Sequence, residues 1–155
     1  MRSVECDVRR SRDRTALRIP HSALAILAAA CTPVTTRPDF APFPQALVIV
    51  IRGAPDRVTA EASAWLAGEA VKVELASPRD GYLETGWREG VKLRCWADPA
   101  APGTTRLTVE AAYRPAEDPS RTERDLEMPV PEGRDGYRLA ERLLAAMSDR
   151  FGAAP

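Results

Sequence analysis

Histidine is almost missing from this chain of 155 residues: the single one is His21, which lies upstream of everything that looks foldable. Histidine is the side chain that titrates near neutral pH and the commonest metal ligand. Without it beyond residue 21, the rest of the chain has no Cys-His pair, no Ser-His-Asp triad and no histidine-based zinc site. Lysine is scarce too, with Lys72 and Lys92 alone, and arginine is scattered rather than gathered into a basic face. General nucleic-acid binding, which needs clustered positive charge, is therefore not expected. The three cysteines Cys6, Cys31 and Cys95 offer neither a zinc-type spacing nor a disulfide framework. Gly81 and Gly86 have the spacing of a phosphate loop but lack the Lys-Ser/Thr that must follow. Neither a cofactor nor a metal is implied.

What is present begins near the start. Six arginines, Arg2 to Arg18, stand against Glu5, Asp7 and Asp13, so the first 30 residues carry +3 and the remainder of this neutral chain −3. An apolar stretch, Ile19 to Ala30, follows and ends in Ala28-Ala29-Ala30-Cys31. As a helix it would span about 18 Å, short of the about 30 Å of a hydrocarbon core. A basic segment, a short apolar segment and small residues at a cut site form a secretory leader. The residues Ala28 to Cys31 resemble the bacterial lipoprotein signal, Leu-(Ala/Ser/Thr)-(Gly/Ala)-Cys, with Ala28 where leucine is favoured. The resemblance implies cleavage before Cys31, lipidation of Cys31, and attachment to the cell envelope, at the periplasmic face of the outer membrane. The alternatives are a secretory leader without lipid, or a cytoplasmic protein with an alanine-rich helix near its start.

Thr32 to Pro44 holds Pro33, Pro38, Pro42 and Pro44, which reads as an extended spacer. The expected organisation is a signal peptide over 1–30, a proline-rich tether over 31–45 and one domain over 46–151. Ala46 to Ile51 is a continuous apolar run, expected as a strand buried on both faces or central in a sheet. Asp56 is placed to cap a helix carrying Val58, Ala62, Trp65 and Leu66, which ends near Gly68. Alternating patterns then predict strands at 71–75, with Val71, Val73 and Leu75 on one side, at 82–87, 91–97 and 106–113. Asp98 to Thr104 reads as a connection, and 115–135 as a long polar loop with a short extended piece near Leu126 to Val130. Tyr137, Ala140, Leu143, Leu144, Met147 and Phe151 recur at helical spacing. The order β-α-β-β-β-β-α is an α+β two-layer domain, an antiparallel sheet of about five strands packed by two helices.

Gly81-Tyr82-Leu83-Glu84-Thr85-Gly86-Trp87 has the form Gly-x-(Ile/Leu)-x-Thr-x-Trp and resembles the BamC-type (NlpB-like) lipoprotein domains. That resemblance, carried by Gly81, Leu83, Thr85 and Trp87, implies a helix-grip fold and an accessory role in outer-membrane β-barrel assembly.

Three further groups of residues are candidates for chemistry. Cys95 alternates with the inward members of its strand and is expected as a buried thiol. Glu123, Asp125 and Glu127 alternate in the late loop; they could bind a cation or pair for acid/base work, but Arg121 and Arg124 among them favour a solvated loop. Trp96 falls on the polar side of its strand, so it either lies under the late loop or marks an interaction surface with a partner. The function expected from the sequence is thus a non-enzymatic, lipid-anchored envelope protein that binds an envelope protein partner. A small-molecule or lipid carrier of helix-grip type is the alternative.

Overall fold

The computed structural model describes residues 35–115 and 123–154, so the expected leader, Cys6, His21 and Cys31 lie outside the described residues. The chain is α+β. The strands are β1 (Leu47–Arg52), β2 (Val73–Ser77), β3 (Tyr82–Thr85), β4 (Val91–Ala101), β5 (Thr104–Tyr113) and β6 (Met128–Pro129). The helices are α1 (Pro55–Gly68), a short α2 (Glu123–Leu126) and α3 (Asp135–Phe151). The sheet is antiparallel throughout, in the order β1-β5-β4-β3-β2, with β6 also pairing β5. β1 takes Thr104–Val109 of β5, and β6 takes Ala112 and Tyr113, so both flank the edge of β5 that β4 leaves open.

One face carries the helices. Leu93, Cys95 and Ala97 of β4, with Leu107, Val109 and Ala111 of β5, meet Val58, Ala62 and Leu66 of α1 and Ala140, Leu143, Leu144 and Met147 of α3. Each large apolar side chain closed off here stabilises the fold by about 1.5–3 kcal/mol. The periodic spacing in α3 is what lets its four buried residues form one stripe. Gly136, in its first turn, has Val91 so close that an added Cβ would lie 2.5 Å from Cγ1, which draws the helix onto β4.

Several expectations need correction. β1 is at the edge of the sheet rather than its centre, and Val48 is 52 % exposed on its outer face. What protects its rim is the end of the chain: Arg52 N–H donates to Gly152, and Ala154 N–H donates to Val50. α1 is entered through Ala54 with Pro55 at its first position. Asp56 therefore lies inside the first turn, where it favours the positive helix end without capping it. Val73 and Leu75 do not share a face, because a bulge between them pairs Leu75 with Glu84 and turns it outward. β4 runs on through Asp98 to Ala101, past the expected connection. Beyond Ala97 it has lost its β3 neighbour, so Pro99 forfeits no ladder bond on that side.

Gly81 marks where β3 meets β4. At φ +63°, an added Cβ would sit 2.2 Å from the Ala97 carbonyl oxygen, and Ala97 N–H donates to the Gly81 carbonyl at 2.7 Å. The glycine singled out in the sequence is therefore required by a close backbone approach.

The largest correction concerns the tether. Residues 35–45 are docked against the outer face of the sheet, the face away from α1 and α3. Thr36 donates from N–H and Oγ1 to Asp80, at 3.0 and 2.9 Å. Arg37 grips Asp98 through two bonds of 2.6 and 3.1 Å, and Phe40 stands edge-on to Trp96. The compact unit begins at Thr35. The prolines keep this arm extended, and the side chains between them hold it down.

Candidate functional site

The outer face of the sheet is closed at its centre. In register, the outward residues of three neighbouring strands are Tyr82 and Glu84 (β3), Arg94 and Trp96 (β4), and Thr108 and Glu110 (β5). Arg94 is 3 % exposed and is the hub. Its Nε donates to Glu84 (3.0 Å), its Nη1 to Glu110 (3.0 Å) and Glu127 (2.6 Å), and its Nη2 to the other oxygen of Glu127 (2.6 Å). Arg124 adds bonds to Glu110 (2.8 Å) and Glu127 (3.2 Å), and Lys92 one to Glu84 (2.9 Å). Three cations thus face three carboxylates.

The arm completes this cluster from above. Phe43 N–H donates to Glu110 (2.9 Å), and the Ala41 carbonyl accepts from Arg124 (2.9 Å). The Arg124 guanidinium lies 4.4 Å from the centre of the Phe40 ring and 3.8 Å from that of Phe43. Aromatic faces stabilise a partly desolvated cation, so the two phenylalanines are lids for charge rather than ordinary apolar plugs. A cleft of about 210 Å³ beside the arm reaches Glu84.

The electrostatics follow from this geometry. Burial works against the charge on Arg94, but the bonds to Glu127 and Glu110 outweigh it and hold its pKa above the ordinary value. Burial would also raise Glu84, yet the bonds from Lys92, Tyr82 and Arg94 bring it below the usual carboxylate value. Tyr82 is pushed up by burial and by the bond it donates to Glu84. Asp80 is lowered by the Thr36 N–H and by the hydroxyls of Ser77 and Thr36. For both depressed carboxylates the stabilising contribution is complete above the unfolded pKa and is lost as pH falls through the folded one. Thermal unfolding followed by circular dichroism should therefore give a level Tm down to about pH 4.5 and a fall below about pH 4. Glu84→Gln should flatten part of that fall.

The structure separates the residues that the sequence suggested for chemistry. Cys95 is 2 % exposed in the core, and its thiol is pushed up by burial. Glu127 corrects the solvated-loop reading: it is buried against Arg94, while Asp125 stays exposed and the side chain of Glu123 lies outside the described residues. Among the described residues no group of three acidic, histidine or cysteine side chains is placed to hold a metal. Trp96 is 1 % exposed, packed on Tyr82 and covered by Phe40, so it is no contact surface while the arm is docked.

The feature missed in the sequence is the arm with its ion cluster. The signal was there, as two phenylalanines among prolines and as opposite charges at the outward positions 84, 94 and 110 of adjoining strands. A second feature is an open groove of about 510 Å³ at the end of the sheet where β4 begins. Val71, Val91, Leu93, Val130 and Leu139 supply its apolar floor, and Arg88, Arg134, Arg142, Glu69, Glu89 and Asp135 its rim. Trp87 lies nearby with Lys92 and Arg114 on its ring. The sequence matches no protein-family model and no curated protein.

Proposed function

We propose that this chain is a lipid-anchored protein of the bacterial cell envelope whose α+β domain works by binding an envelope protein rather than by catalysis. The observation that supports it most is the groove of about 510 Å³, with an apolar floor and a rim of both charges. An apolar centre inside a polar rim is the anatomy of a protein interface. The ionisable side chains gathered on the outer face suit a structural role instead, since they are engaged with one another and with the arm. The groove lies at one end of β4, and the arm enters the domain near the other, at Asp98. At 3.3 Å per residue the seven steps of β4 from Val91 to Asp98 separate the two by about 23 Å. A partner in the groove would therefore meet the end of the domain away from Cys31.

Intact-mass analysis of the membrane fraction, with wild type beside Cys31→Ser, tests the anchor: a diacylglyceryl mass starting at Cys31 is expected, and a soluble chain retaining Met1 would overturn it. A photo-cross-linking residue placed at Arg88, with a control at Val48, tests the groove. A defined adduct at 88 that Leu139→Glu removes is expected. Equal labelling at 88 and 48 would sink the groove as the interface. A carrier of small amphipathic molecules is the second reading, because the groove runs between the sheet and α3. A stoichiometric small molecule in native mass spectra, displaced by Leu139→Glu, would favour it.

A further inference from the structure

The docked arm leaves very little chain between the domain and Cys31. Thr36 is fixed on Asp80 and Arg37 on Asp98, so only four Cα-to-Cα steps connect Cys31 to Thr35, where the compact unit begins. Even fully extended, four residues reach about 14 Å at most. A lipid on Cys31 would hold one particular end of the domain against the bilayer, the end where Asp80 and Asp98 lie.

That end has a distinct surface. Asp98 is followed by Pro99-Ala100-Ala101, the uncharged last residues of β4, and by Pro102-Gly103, the turn into β5, and residues 99–103 are all exposed. With Gly53, Ala54 and Pro55 they line an open, mainly apolar depression of about 350 Å³. Around it stand the exposed Arg52, facing Thr104 across the strand pair, Arg106, facing Asp98, and Arg79, beside Asp80. None of these three arginines forms a salt bridge with a carboxylate among the described residues, although the charge of Arg79 helps to lower the pKa of Asp80. Of the acids here, Asp80 is held by Thr36 and Ser77, Asp98 by Arg37, and Asp56 stands in the first turn of α1.

We propose that this end of the domain is a membrane-docking face, with the Pro99–Gly103 segment at the bilayer interface and Arg52, Arg79 and Arg106 on anionic phospholipid headgroups. The inference rests on the lipid-anchored reading above. A small uncharged segment loses little hydration on approaching the headgroups. Exposed guanidinium groups outside any salt bridge gain from the negative surface potential within a Debye length. The consequence is a fixed posture: the sheet stands off the membrane and presents its groove outward.

The test uses the full lipidated chain carrying Ala101→Cys labelled with an environment-sensitive fluorophore, beside the same label at Glu89→Cys in the far turn. Cys95 is buried and stays unlabelled. In vesicles of phosphatidylethanolamine and phosphatidylglycerol, the label at 101 is expected to shift blue and lose iodide quenching, whereas the label at 89 keeps both. Arg52→Glu with Arg106→Glu should return position 101 to the behaviour of 89. Equal protection at 101 in pure phosphatidylcholine would overturn the headgroup contact. Equal quenching at 101 and 89, in a preparation whose mass shows the lipid on Cys31, would overturn the docking face and leave the anchor standing. A mass without lipid would overturn both.

Discussion

Arg94→Ala is expected to destabilise the domain by about 3–5 kcal/mol, the usual cost of removing one partner from a buried ion pair. Four hydrogen bonds disappear at once, and the carboxylates of Glu110 and Glu127, 1 % and 0 % exposed as side chains, lose their main counter-charge. Arg124 still reaches both, but it is itself 21 % exposed and takes its position from the arm. At about 4–8 °C per kcal/mol for a domain of this size, Tm should fall by roughly 15 °C or more. Arg94→Lys keeps the charge but not the planar fork, so it should lose much of the same stability. Replacing Arg94, Glu110 and Glu127 together by Met, Leu and Leu should recover most of the loss, because a buried ion cluster is strongly destabilised by breaking it and far less by exchanging it for apolar packing. A loss below about 0.5 kcal/mol for Arg94→Ala, the range of ordinary surface changes, would contradict the closed cluster.

The same cluster explains how far the fold was legible in the sequence. The inner face was readable because its code is local: Leu93, Cys95 and Ala97 alternate, α3 repeats at helical spacing, and each pattern names its own buried side. That suffices for the α+β class and the order of the main elements. The outer face obeys a different rule. Arg94, Glu110 and Glu84 read as solvent-facing one at a time, and become interior only because β3, β4 and β5 bring them into one row that the arm then covers. Glu127 is a stronger case. It follows the charged run Glu123 to Asp125 in sequence, and its buried state depends on Arg94, 33 residues away. Alternation marks the two sides of a strand but cannot tell which long-range segment will cover the second one. The edge position of β1 was hidden for a related reason. Its apolar run suits a central strand, and what protects its rim comes from Gly152 to Ala154.

The arm was misread as a spacer because proline content reports backbone stiffness and says nothing of what the intervening side chains touch. Phe40 and Phe43, which a solvated spacer has no use for, were the discordant residues. Their docking changes the mechanical meaning of the segment. A flexible spacer would move independently of the sheet, whereas an arm fixed from Thr36 to Phe43 moves with it.

Trp96→Ala tests this account at the point where the arm, the cluster and the core meet. A tryptophan used as an exposed contact would be removed with little change in stability, within about 0.5 kcal/mol. Trp96 instead has the Tyr82 ring at 5.5 Å and the Phe40 ring at 6.5 Å, and it is 1 % exposed. Its truncation should cost about 3–5 kcal/mol in urea unfolding, as for a large aromatic lost from a packed interior. The cost should come with a local signature. Once Phe40 has nothing to stand on, the arm loosens, and the amides of Thr36 and Phe43, bonded to Asp80 and Glu110, should exchange with deuterium faster than those of β4. Phe40→Ala separates the two effects: it should speed the same arm amides at a smaller cost in stability, because Trp96 stays on Tyr82. Faster exchange throughout the sheet in Phe40→Ala would mean that the arm is an inseparable part of the core. Exchange confined to residues 35–43 would make it a strap that can lift while the domain stays folded, with Trp96 the surface uncovered when it does.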